Sequence, residues 1–316
     1  MKILITGING FVGKNFTKSW GNLHVIYGLD IHQSEIAGVV QTYGWQDLKE
    51  IPQVDVIIHL AGIAQDVDNN IDAKTYFAVN TELTEKIFEF FLKSNASKFI
   101  FFSSVKAVTD SVKGYPLTEM IKPRPKTLYG LSKLRAEEYV FNRYLTTRSL
   151  YKNKSVYILR PCMIYGPGNK GNLNLLYQVV SKGIPWPLGA FDNRRSFCSI
   201  DNIAFVVEQL IVRDDIPSGI YQVCDDEALS TNELIGLINE SLGKKTLIWK
   251  LPKAFMTAVA GVCGTLHLPL DKERLRKLTE NYVVSNRKIK SALGIEKMPV
   301  SAREGIRKTL ESFKNC

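Results

Sequence analysis

The feature that most constrains this chain is the octet Thr6-Gly7-Ile8-Asn9-Gly10-Phe11-Val12-Gly13, which follows directly on the apolar run KILI. Glycines at 7, 10 and 13 stand where a strand ends and a helix begins. The three serve different ends: a tight turn, close approach of a backbone to a pyrophosphate, and close contact between helix and strand. The free N–H groups of the first helical turn then face the negative charge. The spacing G-x-x-G-x-x-G is weak evidence as a bare pattern, and its setting between strand and helix is what gives it meaning.

That setting repeats. HVIYGLD, VDVIIHLAG, KFIFFSS and SVYILRP read as further buried strands, and the amphipathic segments Thr81–Leu92 and Leu131–Leu145 read as helices between them. Alternation of this kind implies right-handed β-α-β units on a parallel sheet covered on both faces. The expected fold class is therefore α/β, a Rossmann doubly wound parallel sheet with a smaller α/β substrate-binding domain. After Tyr165 the texture changes to the glycine- and proline-rich stretches YGPGNKGN and KGIPWPLG. We place the dinucleotide-binding domain at 1–165, with a returning segment near 201–225, and the substrate-binding domain at 166–316. GIYQVCD at 219–225 reads as a strand within that return.

Asp30 closes the second strand. A carboxylate there accepts hydrogen bonds from both ribose hydroxyls and repels a 2′-phosphate. The residues after it, Ile31 to Ser34, supply no arginine or lysine, so the expected cofactor is NAD rather than NADP. Tyr129 and Lys133, in LYGLSK, are four apart and share one helix face. A phenol beside an ammonium loses its proton more easily than an isolated one. With 13 tyrosines in the chain, such a pair taken alone proves nothing.

Composition sets bounds on function. The 316 residues are 45% apolar and 23% charged, as in an ordinary globular protein. Five scattered cysteines (Cys162, Cys198, Cys224, Cys263, Cys316) and four dispersed histidines argue against a zinc site or a disulfide framework, and for a reducing cytoplasm. The stretch Phe255–Leu270 is broken by Gly261, Gly264, His267 and Pro269. It reads as a packed or surface-docked helix, with weak membrane contact as the alternative, and not as an integral membrane segment. The net charge of +10 reads as a lysine-rich solvated surface. Its functional alternative is attraction to polyanions, whether nucleic acid, an acidic membrane surface or a nucleotide substrate. No basic block is interleaved with aromatics, so a nucleic-acid partner is not expected.

Together TGINGFVG, Asp30, Asp47-Leu48, HLAG at 59–62, Asn80, FFSS at 101–104, YGLSK and RPCMIYGPG at 160–168 resemble the extended short-chain dehydrogenases/reductases that act on nucleotide sugars as epimerases, dehydratases and 4-ketoreductases. The resemblance covers almost the whole chain. It implies that Gly7, Gly10, Phe11, Val12, Gly13, Asp30, Leu60, Ala61, Gly62 and Pro161 contact the dinucleotide, with Asp47 and Leu48 bracketing the adenine. Asn80 would support the backbone on the cofactor side, and His59 would be an ordinary strand residue. Lys133 would hold the nicotinamide ribose and depress the pKa of Tyr129. Tyr129 would then exchange a proton with a sugar hydroxyl that Ser104, or Ser103 beside it, positions.

The same resemblance implies a UDP-sugar substrate. Arg195 would grip the diphosphate, helped by Arg276 or, on a shifted alignment, Arg274 or Lys277. Asn172 and Leu173 would begin the backbone contacts to the nucleotide. The stretch after Ser104, Val105-Lys106-Ala107-Val108, lacks the acids that dehydratases of the family carry there. No histidine matches the fucose-synthase type. A 4-epimerase and a 4-ketoreductase remain, and Asp30 tilts the reading toward the epimerase. A silent NAD-binding regulator is disfavoured by the intact Tyr129/Lys133 pair. Met163 replaces the asparagine of galactose-pathway epimerases. The wall beside the sugar's 2-substituent is expected from Tyr282, which crowds an N-acetyl group, or Val283, which admits one. A homodimer built on two helices per subunit is usual in the family.

Overall fold

The computed structural model describes residues 1–64, 71–169, 171–265 and 272–314. Seven parallel strands form one sheet: β1 (Lys2–Thr6), β2 (Val25–Leu29), β3 (Val39–Tyr43), β4 (Val56–His59), β5 (Lys98–Phe102), β6 (Ser155–Pro161) and, after a short pair described below, β9 (Gly219–Val223), in the order β3-β2-β1-β4-β5-β6-β9. The order reverses between β1 and β4, whose registers run Ile3↔Val56 to Thr6↔His59. In an open sheet of this kind, ligands bind in the crevice beyond the carboxyl ends of the strands at that reversal. The loops beginning at Gly7 and Leu60 start there.

Alternation along the strands sends successive side chains to opposite faces. Ile3, Ile5, Val56 and Ile58 pack on one side with Phe16 and Trp20 of α1 (Phe11–Trp20) and with Val206 and Leu210 of α6 (Ile200–Val212). Leu4, Ile57, Phe99 and Phe101 pack on the other with Ile87, Phe88 and Phe91 of α3 (Leu83–Lys93) and Val140 of α4 (Leu128–Thr147). Both faces of the sheet are thus covered, which is why its strands are apolar almost throughout. The edge strand β3 escapes that pattern: Val40 and Gln41 are exposed, so it lacks the apolar signature of its neighbours. Ahead of α3, the short helix α2 (Ala73–Phe77) runs into a turn of π-helix at Ala78–Glu82 that carries Asn80.

Beyond the sheet, β7 (Met163–Tyr165) and β8 (Phe197–Ser199) form a parallel pair. Tyr165 is tied to the main sheet through Asp225, whose carboxylate accepts from its hydroxyl at 2.7 Å and from Asn202 Nδ2 at 2.7 Å. Around this pair pack α5 (Asn172–Ser181), α7 (Thr231–Ser241) and α11 (Ala302–Lys314), through Leu173, Leu234, Ile238, Ile306 and Leu310. A reciprocal capping box between Ser230 and Glu233 fixes the start of α7. A smaller cluster joins α8 (Lys253–Thr265) and α9 (Lys272–Thr279) through Met256, Ala260 and Leu275, and α10 (Arg287–Leu293) packs near β9. Cys316 and His267 lie outside the described residues. Among those described, no helix is long and apolar enough to cross a membrane.

Candidate active site

The glycine loop is built by close contact. Gly7 has φ +70°, a left-handed conformation that favours glycine, and a Cβ there would lie 2.7 Å from the Ala61 nitrogen. At Gly13 a Cβ would lie 2.4 Å from the Ile8 carbonyl oxygen, so only glycine lets α1 start so near β1. The Asp30 carboxylate is held at the end of β2 by the backbone N–H groups of Asn9 (2.9 Å) and Ile31 (2.7 Å). A helix N-terminus over a glycine turn, with a fixed carboxylate one strand away, is the donor and acceptor set that a dinucleotide's diphosphate and ribose require. The residues present therefore fit NAD.

A cavity of about 720 Å³ runs from this loop to Arg195. Gly7, Gly10, Phe11, Val12 and Gly13 line one end, with Leu60, Gly62 and Pro161; Ser104, Tyr129 and Lys133 line the middle. Ala61 is buried beside the loop, its N–H donating to Thr6 Oγ1 at 3.2 Å. Asn80, also buried, accepts from the Ile63 N–H (2.8 Å) and donates to the Ile63 carbonyl (3.1 Å), so it clamps the backbone one residue past Gly62. Asp47 accepts from the Gly44 N–H and from Gln33 Nε2, both within 3 Å, while Leu48 packs on the core. That pair stands on the outer side of Asp30, away from the cavity wall.

Tyr129 and Lys133 occupy the first two turns of α4, whose N-cap Thr127 accepts from the Gly130 N–H. Thr127 is held in turn by Asp110, to which its hydroxyl donates at 2.9 Å. Lys133 is buried, and its ammonium donates to the Phe102 carbonyl at 3.0 Å. Burial pushes its pKa down to about 8, against the pull of Glu137 one turn further on. Burial raises the Tyr129 pKa above the ordinary phenol value, and the Ser104 hydroxyl pulls the other way.

Behind the pair lies a buried ionic group. Arg160 Nε donates to both Glu137 oxygens, at 2.9 and 3.1 Å, and the Ser103 hydroxyl donates to the same carboxylate. Ser103 therefore faces this network, while Ser104 lines the cavity together with Tyr129. His59 is fully buried, with Nδ1 2.7 Å from Thr6 Oγ1 and Nε2 2.9 Å from Thr84 Oγ1. Burial lowers its pKa to about 3. An unfolded chain takes up this proton near pH 6.5 and the folded one does not, so stability is lost as pH falls from about 6.5 toward 3. Urea midpoints measured at pH 7 and pH 4.5 should therefore fall much less for His59→Gln than for the parent chain.

At the far end, the cavity is lined by Arg195, Phe197, Met163, Cys162 and Tyr282. Tyr282 lines this end and Val283 is not among the lining residues; the Tyr282 hydroxyl donates to the Thr109 carbonyl at 2.8 Å. Gly171 and Asn169 also line this end. Leu173 is turned into the helical core, the side chain of Asn172 lies outside the described residues, and Arg276, exposed on α9, is not among the residues that line the cavity. The side chains of Arg274 and Lys277 also fall outside that description.

Lys106 was not singled out from the sequence. It stands two residues after Ser104, its ammonium 4.1 Å from the centre of the Tyr282 ring and 2.9 Å from the Asp110 carbonyl. Burial lowers its pKa, the Glu280 carboxylate pulls it back up, and the Arg195 charge lowers it further. A lysine in VKAV carries no mark of facing inward. No described residue lining the cavity is acidic.

Comparison with known proteins agrees with this geometry. A model of the NAD dependent epimerase/dehydratase family matches residues 3–224. The chain is 29% identical to a UDP-glucose 4-epimerase from Vibrio cholerae, over 98% of this chain and 95% of that one. It is 28% identical to an N-acetyl-alpha-D-glucosaminyl-diphospho-ditrans,octacis-undecaprenol 4-epimerase from Escherichia coli, covering 91% and 84%. Its fold matches the crystal structure of a UDP-N-acetylglucosamine 4-epimerase from Bacillus cereus with a TM-score of 0.77, 20% identity and 99% of each chain covered.

Proposed function

The chain belongs to the NAD dependent epimerase/dehydratase family, and on that premise we propose that it is a nucleotide-sugar 4-epimerase working on a UDP-hexose or UDP-N-acetylhexosamine. One observation carries the reading. The glycine loop, Tyr129, Lys133 and Ser104, and the cations Lys106 and Arg195 line one continuous cavity, and no described acid lines it. Elimination of water needs an acid and a base beside the sugar ring. Epimerisation needs only one group that takes a proton from a hydroxyl and returns it.

In this reading the Tyr129 phenol exchanges the proton of the 4-hydroxyl, and Ser104 holds the same oxygen. Lys133, cationic below about pH 8, offers its remaining donors toward the cofactor ribose. When bound, NAD supplies a reversible hydride acceptor for carbon 4. Arg195 grips the diphosphate with paired donors, which leaves the hexose free to present either face after it becomes a 4-keto sugar. Tyr282 on the wall favours a 2-hydroxyl over a bulkier 2-substituent.

The division into a dinucleotide-binding unit (1–165, with the return at 201–225) and a substrate-binding unit (166–316) goes with this reading. A reducing cytoplasmic setting suits the buried free thiols of Cys162, Cys198 and Cys224. We also place a homodimer interface on α3 and α4, where Phe141 and Leu145 stand exposed four residues apart. Phe141→Glu with Leu145→Glu should convert a dimer to a monomer in light scattering; a parent chain that is already monomeric would remove this interface.

The test is chromatography of UDP-glucose and UDP-N-acetylglucosamine after incubation with the protein and catalytic NAD alone. A 4-epimer at a steady ratio supports the proposal, and UDP-glucose is expected to turn over faster. No epimer from either sugar, with oxidation of added NADH by a 4-keto-6-deoxy substrate, would replace it with a 4-ketoreductase.

A further inference from the structure

Away from the cavity, the stretch 244–255 combines exposed apolar side chains with exposed lysines. Segments 186–189 and 247–249 run side by side: the Trp186 N–H donates to the Leu247 carbonyl (2.9 Å), and the Trp249 N–H donates to the Trp186 carbonyl (2.8 Å). Alternation along this ladder turns Ile248 inward onto the core around α5 and α7, and Leu247 and Trp249 outward. Leu247 is 52% exposed and Trp249 55%. Six residues on, α8 buries Met256 and Ala260 in its own cluster and leaves Phe255 55% exposed.

The charge is one-sided. Between Glu240 and Asp271 the sequence holds no acid but carries Lys244, Lys245, Lys250 and Lys253. All four are exposed. Lys244 bonds back to the Ser181 carbonyl at 2.7 Å, which brings in the neighbouring loop with exposed Lys182 and Ile184. A face meant only for solvent has no use for an outward tryptophan and phenylalanine. A face meant for an ordinary protein partner seldom concentrates lysine, which is depleted at such interfaces. Aromatic and aliphatic side chains interleaved with lysines suit the boundary of an anionic bilayer, where the rings enter the headgroup layer and the ammonium groups meet lipid phosphates.

We propose that this face, carried by residues 244–255 and the 182–184 loop, docks the protein on an anionic membrane surface without crossing it. The docked face lies close in the chain to the substrate end of the cavity, because the 186–189 strand leads in six residues to Arg195. The protein would thus work on its substrate at the surface of the membrane.

Co-sedimentation of the full chain with vesicles tests this. Phosphatidylglycerol–phosphatidylcholine vesicles should bind the protein at least tenfold more tightly than pure phosphatidylcholine, and 0.5 M salt should weaken that binding. Replacing the four lysines by glutamine should cost at least tenfold, and Trp249→Ser with Phe255→Ser a similar factor that salt does not erase. None of these residues lines the cavity, so turnover on a soluble UDP-sugar should persist in both variants and report that they fold. The proposal fails if the parent chain stays in the supernatant, if neutral vesicles bind it equally, or if neither variant changes binding. It also fails if the substitutions abolish only a concentration-dependent self-association, which would assign the face to a second copy.

Discussion

Tyr129→Phe is expected to lower turnover by about 10²–10⁴-fold, the range that a positioned proton-transfer group supplies. Cofactor retention should be nearly unchanged, because the phenol is one wall of the cavity while the glycine loop, Asp30 and Lys133 stay in place. The ring itself packs edge-on against Tyr76, with centroids 6.3 Å apart. Phenylalanine keeps that contact and loses only the hydroxyl. Bound NAD, quantified after denaturing the purified variant, together with the residual rate, separates lost chemistry from lost binding. A variant that turns over normally would move the proton-transfer role away from Tyr129.

Glu137→Ala should produce the largest loss of stability of any single change considered. It strips Arg160 of its carboxylate in a site where Arg160 is 3% exposed and Glu137 2%. Removing one partner of a buried pair typically costs about 3–5 kcal/mol, because the other charge remains buried and uncompensated. Urea denaturation checks the figure. Glu137→Leu combined with Arg160→Met removes both charges and should recover most of the loss, since an apolar pair of similar volume is tolerated where a single charge is not. A loss below about 1 kcal/mol for Glu137→Ala would mean that water reaches Arg160. The same carboxylate raises the Lys133 pKa from one turn away, so the pair supports the active site as well as the core.

Much of this was legible in the sequence wherever local pattern and tertiary role coincide. The strands buried on both faces announced themselves as apolar runs, and the glycine spacing marked the crossover at the strand reversal. Tyr129 and Lys133 declared a shared helix face by their spacing, and Glu137 continues that stripe by four more. The edge strand β3 was not legible, because half of it faces solvent and carries Val40 and Gln41 outward. Nor was the π-turn at Ala78–Glu82, in which a single widened turn aims Asn80 at the Ile63 backbone. Lys106 went unassigned because its burial depends on Tyr282, more than 170 residues away in the chain. The choice between Tyr282 and Val283 hung on a one-residue register that only packing decides. The resemblance implies backbone contacts to the nucleotide at Asn172 and Leu173, and these are compatible with a Leu173 side chain packed in the helical core.

In the proposed reaction the sugar's own carbon 4 hydrogen leaves and returns within one cavity, with Tyr129 handling the proton. The most direct measurement uses UDP-glucose carrying deuterium on carbon 4, incubated with the protein and catalytic NAD, and product analysis by mass spectrometry. The expected product is a 4-epimer that retains the deuterium on carbon 4. An epimer with deuterium exchanged for solvent hydrogen, or a product formed only with stoichiometric consumption of reduced cofactor, would contradict it.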